Sequence, residues 1–126
     1  MTNTTDKELL ELAAKAAGID ASWNDDNEYN IDYSAKHEGM YLNGERTPDN
    51  DAYWNPLRSD GDALRLAVRL GMNLVICDEL GITDARIPSK TGWKAEEHWN
   101  NGDSVVGISA TRRAIVRAAA EIGRGM

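Results

Sequence analysis

Residues 54–71, WNPLRSDGDALRLAVRLG, constrain the fold of this chain more than any other stretch. Pro56 fixes its own φ and biases Asn55 to an extended conformation, so the chain is expected to arrive straight rather than coiled. Ser59 suits a helix N-cap, and Asp62 places a carboxylate near the positive end of the helix dipole. Leu57, just before the cap, can act as a hydrophobic staple. Ala63, Leu66, Ala67 and Leu70 then repeat at i, i+3, i+4, i+7, and Leu64 and Val68 widen the stripe. Gly71 is placed to stop the helix in the left-handed conformation. A helix this apolar is expected to be covered on two sides and to form the centre of the core, with Leu64, Ala67 and Val68 inside.

Two functional readings of this stretch are weaker than the structural ones. Asp60-Gly61-Asp62 offers a D-x-D pair without the further acidic ligands of a calcium loop, so capping is its first role. Arg65 and Arg69, one turn apart, read as a solvated face paired with Asp62 rather than as a grip on phosphate.

The flanks supply two further helices. Thr5-Asp6-Lys7-Glu8 matches a capping box, and Leu9, Leu12, Ala13 and Ala16 follow at helical spacing, giving a helix over 6–17 stopped by Gly18. Near the other end, Ile115, Ala118, Ala119 and Ile122 predict a helix from Ser109 to Ile122, stopped by Gly123. Strand signals lie between. Tyr29, Ile31 and Tyr33 alternate with polar residues, and Met40-Tyr41-Leu42 is the expected hairpin partner, with a bend near 35–38. Residues 72–77, MNLVIC, suit a buried strand. Residues 85–88 form a brief strand, and Trp93, Ala95, Glu97 and Trp99 alternate. The order predicts a single α+β domain spanning 1–126, three helices packed on a small, mainly antiparallel sheet.

Charge narrows the function classes. The chain carries 21 acidic against 14 basic side chains, a net charge of −7, which opposes general nucleic-acid binding and suits basic partners or polyanion mimicry. Thirteen of the acidic groups lie in residues 1–60, and the last helix is locally basic. Cys77 is the single cysteine, read as an inert thiol with no disulfide or zinc framework around it. No apolar run reaches membrane-spanning length, and MTNTTDKELL is polar and acidic rather than signal-like, so the cytoplasm is the expected compartment.

Catalytic signatures are missing from the sequence. His37 and His98 stand in no metal-binding spacing, and there is no nucleophile elbow, P-loop or dinucleotide fingerprint. No catalytic residue, metal or cofactor is assigned, and residues 24–28 read as a solvated acidic connection. The chain reads as a non-enzyme. An enzymatic alternative would assemble around His98 or the Asp60/Asp62 pair. Aromatics are more informative: the chain has no Phe, and all its Trp and Tyr residues lie outside the three predicted helices. Most are expected to line the sheet. Tyr53, Trp54, Trp93 and Trp99, with Arg113 and Arg117, form the candidate interaction surface, since Trp, Tyr and Arg are enriched in binding hot spots. Arg112, Arg113 and Arg117 define the nucleic-acid alternative, and a homodimer would cover aromatics with a second copy.

WNPLRSDGDALRLAVRL at 54–70 and ATRRAIVRAAAEIGRGM at 110–126 resemble segments of short proteins encoded by tailed phages and prophages. DKELLELAAKAAGI at the start has the same character. Residues 20–53 and 78–108 carry no match to that group. The resemblance implies a phage or prophage accessory protein acting inside a bacterium, and it brings no catalytic or binding residues with it. The expectation is a host or phage protein as partner, with modulation of a host process such as defence as the outcome.

Overall fold

Alanine governs how this chain packs. The computed structural model describes residues 5–24, 39–43, 53–88, 94–100 and 103–126. Three helices and two three-stranded antiparallel sheets make an α+β fold, in the order α1 (Asp6–Ala17), β1 (Ala21–Asn24), β2 (Gly39–Leu42), β3 (Tyr53–Trp54), α2 (Asp60–Leu70), β4 (Asn73–Cys77), β5 (Ile82–Arg86), β6 (Lys94–His98) and α3 (Ser104–Arg124). Where one small sheet is expected from the sequence, there are two. Among the described residues, no helix is long and apolar enough to cross a membrane.

The first two helices begin and end where their caps dictate. Thr5 Oγ1 accepts from the backbone N–H of Glu8, and Ser59 Oγ accepts from that of Asp62, each at 3.1 Å. Both helices close on glycine at positive φ, Gly18 at 68° and Gly71 at 64°, with the next N–H reaching back to the carbonyl of Ala14 or Ala67. The approach to α2 differs from the sequence expectation. Residues 56–58 turn, with the N–H groups of Arg58 and Ser59 both donating to the Asn55 carbonyl. Asp62 Oδ2 accepts from the Asn55 N–H at 2.9 Å, so one carboxylate ties the incoming chain to the first turn of the helix.

The third helix is longer than its apolar stripe suggests. It starts at Ser104, five residues before the expected Ser109, and Gly123 lies within it rather than ending it. Val105, Val106, Gly107 and Ile108 have low helix propensity, yet Asp103 caps the segment by accepting from the N–H of Val106 at 3.3 Å. The glycine at 123 has another role. A Cβ there would collide with the backbone of Leu12, so the glycine lets α1 and α3 touch main chain to main chain.

It is α3, not α2, that lies at the centre of the core. Ile115, Val116, Ala119 and Ala120 join Leu9, Leu10, Ala13, Ala14, Met40, Trp54 and Leu66 in one buried cluster. Ala114, Ala118 and Ile122 meet Ala85 and Ala95 of the second sheet, and Ile87 just beyond β5, in another. Alanines on both flanks admit α1 on one side and a sheet on the other. In α2 only Ala63, Leu66 and Ala67 are buried; Leu64 and Val68 are 60% and 73% exposed. The expectation that Leu64 and Val68 are interior is therefore wrong, because nothing among the described residues covers the outer face of α2.

The sheets also depart from the sequence reading. Met40 pairs with Trp23 on one side and Trp54 on the other, so β2 is the central strand of the order β1-β2-β3. The expected strand at Tyr29–Tyr33 lies outside the described residues. In the second sheet the order is β4-β5-β6. The MNLVIC run is an edge strand rather than a buried one, with Val75 60% and Ile76 57% exposed. Residues 78–81 form its turn to β5, which begins at Ile82, earlier than the expected 85.

Candidate interaction groove

Three elements converge on one apolar hollow. Ala63 and Leu64 of α2, Leu74 and Ile76 of β4, and Gly107, Ile108 and Ile115 of α3 enclose about 410 Å³. Ala63 and Ile115 are buried and form the floor; Leu64, Ile76 and Ile108 stand exposed along the rim. The register explains the β4 contribution. Leu74 and Ile76 lie opposite Ala85 and Thr83, both fully buried, so these four residues share the helix-facing side of the sheet. Trp99 closes one end. A Cβ on Gly107 would come within 2.9 Å of its indole, so the glycine makes room for the ring. The indole Nε1 is buried and has no hydrogen-bond partner among the described residues.

Several polar groups of the hollow are bound to one another. Arg112 donates through Nε to the Leu57 carbonyl at 2.8 Å and through Nη1 to Asp60 Oδ1 at 2.6 Å, bracing α3 against the start of α2. Thr111 Oγ1 donates to the Gly107 carbonyl at 2.8 Å and shares a hydrogen bond with the Thr83 hydroxyl at 2.9 Å. What the hollow presents most freely is therefore hydrocarbon. A second hollow, of about 750 Å³, lies on the other side of α2, between Val68 and the Leu42, Tyr53 and Ile19 side chains. Leu64 lines both, so the outer face of α2 is a ridge between two depressions.

The described residues singled out from the sequence have different settings. Tyr53 is exposed; its ring meets Tyr41 edge-on at 5.2 Å and its hydroxyl accepts from Asn55 Nδ2 at 3.0 Å. Trp54 is only 5% exposed and belongs to the core, because its strand turns it toward the helices rather than outward. Trp93 lies outside the described residues. Trp99 is half-buried at the end of the apolar hollow. Arg113 pairs with Asp6 at 3.2 Å, and Arg117 bonds the Glu97 carboxylate and, at 3.1 Å, the Glu96 carbonyl. Arg65 pairs with Asp62 at 2.8 Å as expected, whereas Arg69 donates to the Ala17 carbonyl at 2.6 Å, securing the end of α1.

The enzymatic alternative finds its residues apart or engaged. His98 is exposed, with Nε2 3.6 Å from Glu96 Oε1. Asp60 and Asp62 bind Arg112 and Arg65, respectively. Among the described residues no group of three or more His, Cys, Asp or Glu side chains is placed to hold a metal ion. His37 lies outside them.

Sequence reasoning missed Leu64, Ile76 and Ile108 as surface residues. Periodicity assigns Leu64 to the stripe of a covered helix, composition assigns Ile76 to a buried strand, and Ile108 falls just before the helix expected from Ser109. Comparisons with protein-family models, with curated proteins and with solved structures found no match to this chain.

Proposed function

We propose that this chain is a non-enzymatic interaction protein, a phage or prophage accessory factor that binds a host or phage protein and modulates its activity. The supporting observation is the apolar hollow between α2, β4 and α3, whose rim residues Leu64, Ile76 and Ile108 stand in water. Fully burying an exposed side chain of this kind contributes about 1.5–3 kcal/mol; Leu64, Ile76 and Ile108 are each about half exposed, so each supplies about half of that on being covered. Hot spots cluster in such desolvated pockets, and Trp99 at the end of the hollow fits that chemistry.

The nucleic-acid reading has less support. Arg112, Arg113 and Arg117 are each engaged by a carboxylate of the same chain, so phosphate would have to displace Asp60, Asp6 and Glu97. A gel shift at low salt with short single- and double-stranded probes tests that reading directly.

The binding proposal is tested by affinity isolation from bacterial cells expressing the tagged chain. A stoichiometric protein should co-purify with the native chain and with Arg113→Ala, and be lost with Leu64→Asp and Ile108→Asp. Far-UV circular dichroism checks that both variants are folded. Retention of the partner by both groove variants would remove the hollow from consideration.

A further inference from the structure

The two edges of the second sheet are unlike each other. Edge strands expose unpaired N–H and C=O groups, and proteins protect them with charge, proline, bulges or a covering element. The β6 strand, Lys-Ala-Glu-Glu-His, has such protection in its charges. The β4 strand, Asn-Leu-Val-Ile-Cys, has no charged residue and no proline, and its register with β5 runs through all five residues without a bulge. Among the described residues, the backbone of β4 bonds to nothing but β5. Val75 and Ile76, on opposite faces of the strand, are both more than half exposed.

We infer that β4 is a homodimer interface, with two copies pairing antiparallel through this edge to form one continuous six-stranded sheet. A two-fold contact must be self-complementary, and the strand is nearly symmetric about its middle residue. Centred on Val75, the register puts Val75 opposite its own copy on the outer face. Leu74 meets the second copy's Ile76 on the helix-facing side, and Asn73 meets the second copy's Cys77. Aliphatic side chains meet aliphatic ones on both faces. Charge selects the antiparallel direction. Asp78 and Glu79 follow directly on each β4. In a parallel pair these acidic turns would sit side by side, at about the 5 Å spacing of neighbouring strands. In the antiparallel register the two Asp78 residues are six positions apart, about 20 Å at ~3.3 Å per residue. That is more than twice the Debye length of about 8 Å at physiological salt. Two chains of charge −7 can thus meet along this edge with their Asp78–Glu79 turns held apart. The pairing shares Leu74 and Ile76 with the β4 wall of the proposed partner site. It lengthens the β4 wall of the groove without using Leu64 or Ile108.

Sedimentation of the purified native chain from about 1 µM to about 1 mM spans dissociation constants expected of a small interface. The expected result is a concentration-dependent shift from monomer to dimer that Val75→Lys abolishes. Val75 is mostly exposed, so this variant should retain its circular dichroism. Register is read by mild oxidation, since opposed positions have Cβ atoms about 4.5–5.5 Å apart, close to disulfide reach. Asn73→Cys should cross-link to native Cys77 of a second copy and fail to do so when Cys77→Ser is added. Val75→Cys with Cys77→Ser should cross-link to itself. A native chain that stays monomeric throughout would overturn the proposal and leave the edge to a strand of another protein. A dimer that survives Val75→Lys, or an Asn73→Cys cross-link that persists with Cys77→Ser, would overturn it as well. Leu64→Asp should lose the co-purifying partner and still dimerise, which separates this inference from the functional proposal.

Discussion

A methyl group placed on Gly123 would overlap the carbonyl oxygen of Leu12 and lie 2.8 Å from its carbonyl carbon, so α1 and α3 meet backbone against backbone. Neither helix can retreat without opening the alanine-lined contact that Ala13, Ala119 and Ala120 make around that point.

Gly123→Ala should therefore destabilise the fold by about 2–3 kcal/mol or more, since overpacking against main chain has no side-chain rotamer to relieve it. Urea denaturation checks this through the midpoint. Gly61→Ala is the internal control. Its added Cβ would meet only the Arg65 guanidinium, at 3.2 Å, and the Arg65 side chain is exposed and able to move. Relief of backbone entropy in the helix should make that variant neutral or about 0.5–1 kcal/mol more stable.

The one-sided burial of α2 predicts opposite outcomes two residues apart. Leu66→Ala removes a side chain only 1% exposed and should cost about 2–5 kcal/mol. Leu64→Ala should change stability by no more than about 0.5 kcal/mol, as for other surface positions. Equal losses at both sites in thermal unfolding would mean that Leu64 is covered in solution.

Thr83 is fully buried and shares a hydrogen bond with Thr111, joining β5 to α3. Thr83→Val should cost about 1 kcal/mol, the net value of one such bond, because Thr111 keeps its own donation to Gly107. A double-mutant cycle with Thr111→Val should give a coupling of similar size. No coupling would show that the two hydroxyls do not meet.

Arg112 holds two separate acceptors, the Leu57 carbonyl and Asp60, with one guanidinium. Lysine cannot reproduce that fork, so Arg112→Lys should lose about 1–2 kcal/mol. Asp60 is largely exposed, and an exposed ion pair is worth little, so Asp60→Asn should cost no more than about 1 kcal/mol. Chemical denaturation of the two variants side by side tests whether the carbonyl bond or the ion pair dominates.

By itself the sequence determined what is local. A threonine or serine with a backbone donor three residues on, and a glycine after the last helical turn, fixed the limits of α1 and α2 through bonds between neighbours. The alternation around Ala95 and Glu97 likewise located β6. Periodicity also found the apolar stripe of α3, but not its early start. The glycine at 107 sits in that early turn because Trp99 packs where a side chain would be. The four-residue strand Ala-Ser-Trp-Asn carries too little pattern to be read alone, and it exists because β2 pairs with it. Only the tertiary structure decided which apolar faces have neighbours. A stripe of leucine, valine and alanine states that burial would be favourable, not that another element will arrive. Here α1 and the second sheet took the two sides of α3. Leu64, Val75, Ile76 and Ile108 were left at the surface, and the candidate contacts lie there because packing within one chain ran out of partners for them.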